Sequence, residues 1–140
     1  MKVKTILWYI YISVVMAVMV TFGYKAFYPF EPIRMDSFYI DKQVLRHGEK
    51  FCIQMVGEKL LDVPVDVTIS FANGESYQVV KYSSNVHVGS YFPKRCFLTP
   101  HIMPGKYKVR WTGAYHVNNF QTVTRTILSD WVEVLDEVTK

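Results

Sequence analysis

Not one acidic residue occurs before Glu31 in this 140-residue chain, and from Thr5 to Tyr24 there is no charge of either sign. The first absence locates the basic excess. Lys2, Lys4 and Lys25 supply three of the four net positive charges, and the rest of the chain holds 13 basic against 12 acidic residues. So neutral a remainder offers no electrostatic footprint for a polyanion, which sets nucleic acid aside as a partner. Cysteine is scarce as well. Cys52 and Cys96 have no zinc-site spacing, and His47, His87, His101 and His116 fall at no ligand interval. Seven scattered glycines form no phosphate-cradling loop, and there is no Gly-x-Ser-x-Gly elbow. Ser90 and Ser129 stand in no catalytic spacing. Asp62, Asp66, Asp130 and Glu133 fit solvated strand faces better than a pair of catalytic carboxylates. The expectation is a chain with no enzymatic activity, no cofactor, no metal and no small-molecule substrate. Internal repeats and low-complexity tracts are absent too.

What is present begins with the uncharged run itself. Its 20 residues, wound as a helix, reach about 30 Å, the thickness of a bilayer's hydrocarbon core. Thr5, Ser13 and Thr21 are its clearly polar members, and such hydroxyls can bond back to helix carbonyls. Trp8, Tyr9 and Tyr11 lie toward one end and Phe22, Tyr24, Phe27, Tyr28 and Phe30 toward or beyond the other, where membrane–water interfaces favour aromatic rings. A soluble helix would carry a polar stripe of period 3.6, and none is visible. A cleaved signal peptide would have a shorter apolar region and a better site than Thr21-Phe22-Gly23. Residues 1–26 therefore predict a retained transmembrane helix, a signal-anchor with residues 5–24 in the bilayer. Residues 27–35 form a linker stiffened by Pro29 and Pro32. Lys2 and Lys4 precede the span without an acid, whereas Lys25 and Arg34 lie near Glu31 and Asp36. This bias puts the N-terminus in the cytoplasm and the C-terminal domain outside.

From residue 36 to residue 140 the period is two. Phe38 and Ile40 alternate with Tyr39 and Asp41. Phe51, Ile53 and Met55 alternate with Cys52 and Gln54, and Val65, Val67, Ile69 and Phe71 with Asp66, Thr68 and Ser70. Asn73-Gly74 is a hairpin signal. With these two as the loop, Ala72 faces Glu75, Val67 faces Val80, Val65 faces Tyr82 and Asp66 pairs with Lys81. Later strands are expected over residues 91–99, around Tyr107, Val109 and Trp111, and over residues 122–135 with a break at Ser129-Asp130. The fold class is all-β, an immunoglobulin-like β-sandwich of about seven strands preceded by one N-terminal transmembrane α-helix, with a small barrel as the alternative. An even cysteine count outside the cytosol predicts a Cys52–Cys96 disulfide. Alternation puts both sulfurs on the outer face of one sheet, so the bridge joins neighbouring strands.

Two segments are candidate partner-binding loops. Leu60 and Leu61 are adjacent large apolar residues in a turn region. Tyr115, His116, Asn118, Asn119 and Phe120 mix aromatic and amide groups between the last two strands. Lys108 and Arg110 flank Trp111 on the outer face, and a cation–π contact inside the fold accounts for them as well as a ligand does.

The stretches GEKFCIQMVGEKLLDVPVDV and PGKYKVRWTGAYHVNNFQTVTRTILSDWVEV resemble small membrane-anchored proteins of tailed bacteriophages. Gly48 to Cys52, Asp62-Val63-Pro64, Pro104-Gly105-Lys106-Tyr107 and Ser129-Asp130 carry the resemblance. It implies a host cytoplasmic membrane and an extracytoplasmic immunoglobulin-like domain, with no assigned activity and no functional residue transferred. The expected function is a single-pass anchored interaction module that binds an envelope or phage protein. The alternatives are a secreted or virion-associated domain after signal cleavage, and a lysis accessory protein acting through its membrane segment.

Overall fold

The computed structural model describes residues 2–28, 31–85, 87–91, 93–119 and 121–136. Helix α1 runs Lys2–Phe27, and nine strands follow: β1 (Ile33–Ile40), β2 (Val44–Arg46), β3 (Lys50–Lys59), β4 (Val65–Asn73), β5 (Glu75–Ser84), β6 (Gly89–Tyr91), β7 (Lys94–Leu98), β8 (Gly105–Asn118) and β9 (Gln121–Leu135). Strand β1 begins at Ile33, inside the segment expected to be linker. The two strands beyond the expected seven are the three-residue β2 and β6. One long strand expected over residues 91–99 is instead two, β6 and β7, with Pro93 lying between them. Proline has no N–H to give a ladder, but its carbonyl accepts the Met55 N–H at 3.2 Å.

In the first sheet β3 is central, with β1 on one side and β6 and β7 sharing the other. The second sheet has the order β2-β9-β8-β4-β5, and β2 runs parallel to β9 where every other pairing is antiparallel. Together the sheets form a half-barrel. Its core is the inward face of the period-two pattern: Phe51, Ile53 and Met55 from β3, Val65, Val67, Ile69 and Phe71 from β4, Tyr107, Val109, Trp111 and Tyr115 from β8, and Val132 and Val134 from β9. Phe51 meets Phe71 edge-on across the sheets at 5.6 Å. Each such side chain, removed from water, contributes about 1.5–3 kcal/mol. Helix α1 takes no share in this core; the side chains of its apolar window are unburied. It is one helix long and apolar enough to cross a membrane.

Bulges set the registers. Asn73 pairs with Glu75 around Gly74, whose φ of 72° suits glycine. That corrects the expected register: Ala72 faces Ser76, Val67 faces Tyr82, Val65 faces Ser84, and Asp66 faces Ser83 rather than Lys81. A bulge at Val79, between the pairs Ser70↔Gln78 and Ile69↔Val80, widens the offset from one residue to two. Tyr77 and Tyr82, of opposite parity, can therefore both pack against the core. In β9 a second irregularity lies between Leu128 and Trp131, which pair with Arg110 and Lys108. There the Ser129 hydroxyl accepts the Val109 N–H at 2.9 Å and donates to the Asp130 carbonyl.

Cys52 and Cys96 face one another across β3 and β7 and are bridged, with Cα atoms 4.0 Å apart. On its other side Cys52 donates its N–H to the Asp41 carboxylate, and its carbonyl accepts the Asp41 N–H. Its backbone groups thus point away from β7, leaving the close, non-hydrogen-bonded type of pair that brings Cβ atoms together.

Candidate interaction surfaces

The strands run lengthwise between two ends of the domain. At the helix end lie the starts of β1 and β9 and the finish of β3 and β8; at the far end lie the Gly74 turn and the starts of β3 and β8. Both segments singled out from the sequence fall at the helix end.

Leu60 and Leu61 are half-buried, and both backbone N–H groups point at the Pro32 carbonyl, at 2.9 and 3.4 Å. Tyr115 is not a contact residue. It is only 1% exposed, because the parity that buries Trp111 also turns residue 115 inward. Asn118 donates through Nδ2 to the Lys25 carbonyl of α1 at 2.8 Å, and Gln121 donates through Nε2 to the Tyr28 carbonyl at 3.1 Å. Carbonyls at a helix C-terminus lack partners within the helix, so these two amides cap α1 from the domain. Asn119 is exposed at the turn, and Phe120 lies outside the described residues. Between helix and domain runs a groove of about 500 Å³ lined by Thr21, Tyr24, Lys25, Leu61, Val63 and Val117, with Asp62 and Asn118 beside them.

His116 stands on the outer face of the second sheet. Its Nε2 lies 3.2 Å from Asp66 Oδ2 and its Nδ1 lies 3.1 Å from Thr122 Oγ1, while Ser83 donates to the other Asp66 oxygen. Hydrogen bonds from Ser83 and then His116 hold the Asp66 carboxyl below its ordinary range. Carboxylate, imidazole and hydroxyl stand in a row here, but on an open strand face: none of these four residues lines any of the grooves described here.

The far end carries a surface that composition did not announce. Trp131 is 53% exposed, and Lys108 sits 5.1 Å over its ring. The cation–π partner is thus Trp131, not the buried Trp111. Two grooves meet at Trp131 and Val132. One, of about 440 Å³, is walled by Gln43, Val44, Asn73, Lys106 and Glu133; the other, of about 210 Å³, reaches Phe38, Tyr39 and Lys42. Strict alternation from Ile127 would have turned Trp131 inward. The irregularity at Ser129-Asp130 turns it out, and the break seen there in the sequence was the available signal. Nearby, Glu49 is held below its usual pKa by the Lys42 ammonium and by the Arg46 N–H. Among the described residues no group of three or more His, Cys, Asp or Glu side chains is placed to hold a metal ion.

No family model and no curated protein matches the chain. Among solved structures it is similar to Pseudomonas fluorescens alkylpurine DNA glycosylase AlkC bound to DNA containing an abasic site analog, with a TM-score of 0.44 and 11% identity over 76% of this chain. The chain spans 31% of that protein's length.

Proposed function

We propose that the chain is a single-pass membrane protein that displays an immunoglobulin-like interaction domain outside the cytoplasm, with its N-terminus inside. The observation that carries this reading is the junction at residues 25–28. An apolar helix with no buried face is tied by Asn118 and Gln121 to a β domain whose core it does not share. In water its apolar side chains would forgo about 1.5–3 kcal/mol each, and a bilayer removes that cost. The capping bonds favour a retained anchor over a cleaved signal, since cleavage would discard one partner of each.

The strand order supports the immunoglobulin-like reading. One sheet has β3 flanked by β1 and by β6 and β7, the other runs β2-β9-β8-β4-β5 with a parallel edge pair β2–β9, and two such largely antiparallel sheets are what an immunoglobulin-like domain would need. The disulfide departs from the antibody pattern by joining strands within one sheet. The role is non-enzymatic. The partner, an envelope or phage protein of the kind the phage resemblance suggests, meets the Trp131 surface, because exposed tryptophan beside grooves is the composition of an interface anchor.

Fractionation of cells making the full-length chain tests the anchor. The expected result is an intact chain in the membrane fraction, oxidised at Cys52 and Cys96, with its domain open to protease from outside. An intact, reduced chain in the aqueous fraction would sink the reading. A truncated chain would favour the secreted form, and membrane depolarisation by the span alone would favour lysis. For the surface, Trp131→Ala should abolish crosslinking to the partner while the anchor remains; unchanged crosslinking would exclude this face.

A further inference from the structure

The groove at the helix end belongs to two environments at once. Its inner wall is Thr21, Tyr24 and Lys25 of α1, and its outer wall is Leu61, Val63 and Val117 of the domain. Lys25 is the first charge after the uncharged run, so on the anchored reading it marks the boundary between acyl chains and headgroups. Thr21 is four residues earlier, which is about 6 Å deeper along a helix. The groove therefore opens at the level where a phospholipid turns from chain to phosphate. Whatever solvates Thr21 and Tyr24 as part of the span reaches the same side chains as groove wall. Leu61, Val63 and Val117 are all half-buried, with apolar surface still facing the gap.

Charge at the rim fits a phosphate. Lys25 lines the groove, and Lys59 lies within electrostatic reach of Asp62. Asp62 has His87 Nδ1 at 3.7 Å as a second neighbour. Lys59 is buried and does not line the groove, so Lys25 is the cation its lining offers a phosphate, while Asp62 in the same lining has His87 as its neighbour.

Resting on the membrane-anchored reading, we infer that this groove clasps a phospholipid of the outer leaflet. Its phosphate meets Lys25, and its upper methylenes lie between Tyr24 and the Leu61, Val63 and Val117 side chains. The loop after β3 is then a lipid contact, which accounts for two adjacent leucines next to a membrane helix. It also removes these residues from the surface offered to a protein partner.

A photoreactive benzoylphenylalanine placed singly at Val20, Leu61, Val63 or Val44 in the full-length chain provides the test. The protein is reconstituted in vesicles of phosphatidylethanolamine and phosphatidylglycerol carrying a radiolabelled phospholipid. Oxidised Cys52–Cys96 on a non-reducing gel selects folded molecules. Phospholipid adducts are expected at Val20 in the span and at Leu61 and Val63, but not at Val44 on the far end. Lys25→Glu should lose the adducts at positions 61 and 63 and keep the one at 20. The inference fails if position 20 labels lipid while 61 and 63 do not, or if those two persist undiminished in Lys25→Glu. If position 20 also fails to label, the membrane reading falls first and takes the inference with it.

Discussion

The two ends of the β domain put their residues to opposite uses. At the helix end, groups that look free for a partner are spent within the chain: the Asn118 and Gln121 amides cap α1, the Leu60 and Leu61 backbone N–H groups point at the Pro32 carbonyl, and Tyr115 is core. At the far end, Trp131 comes from a long strand that composition alone would place in the core, and one local irregularity leaves it exposed between two grooves. Loop composition therefore marks where polar and aromatic groups gather, but parity along the strands decides what solvent sees.

The comparison can be broken most forcefully at the disulfide, which pins β7 along the far half of β3. Replacing both cysteines by alanine should cost about 2–4 kcal/mol, the upper figure being the chain-entropy limit for a separation of 44 residues. Denaturant unfolding would measure it. Hydrogen exchange should show β7 loosening more than β6, and equal loosening would mean that the ends are not separable. At the helix end, a Cβ on Gly57 would stand 2.3 Å from the Arg34 carbonyl oxygen. That atom is backbone and cannot swing aside, so Gly57→Ala should destabilise by about 1–3 kcal/mol, with β1 affected before the far end.

Smaller effects sharpen the contrast. Asn118→Ala combined with Gln121→Ala removes two capping bonds, each worth about 1 kcal/mol, without touching the core. The domain's thermal midpoint should barely move, while spin-label distances between α1 and β8 should broaden. The smallest effect is in acid. Glu49 at the far end and Asp66 toward the helix end both have pKa values below the ordinary carboxylate range, through Lys42 and through Ser83 respectively. A depressed carboxyl adds stability above its unfolded pKa and loses it as pH falls through the folded one. Stability should therefore decline below about pH 4. Glu49→Gln and Asp66→Asn should each remove part of that decline, and a profile unaltered by either would deny the two carboxylates this role.

The helix, the all-β character, the inward faces of β3, β4 and β8 and the cross-strand cysteine pair were legible in the sequence, because each rests on a period or a count. Registers were not. Val79 and Val80 are both apolar, so the change of parity in β5 leaves no trace in a hydrophobic pattern, and the hairpin is one residue out at the turn and two beyond the bulge. Pro93 does signal an interruption, but the edge position that tolerates it depends on which strands become neighbours. Of the candidate contact segments, Leu60 and Leu61 follow β3 outside any strand, whereas Tyr115, His116 and Asn118 belong to β8 and Asn119 is in the turn. The partners of Asn118 and Gln121 depend on α1 arriving beside them from about 90 residues away, as the Lys25–Asn118 bond spans 93 positions, and no local window carries that information.

The bonds from Asn118 and Gln121 to α1 also fix a height. Trp131 is ten residues along β9 from Gln121, and a strand advances about 3.3 Å per residue. The indole thus rides roughly 33 Å, at most, above the point where the chain leaves the helix. A tether on a slack linker would sweep a range of altitudes, whereas this one works as a ruler. On the anchored reading proposed above, it would favour partners whose own docking patch lies about one domain's length from the lipid, and it would turn any rotation of the helix about its axis into a change of the tryptophan's bearing.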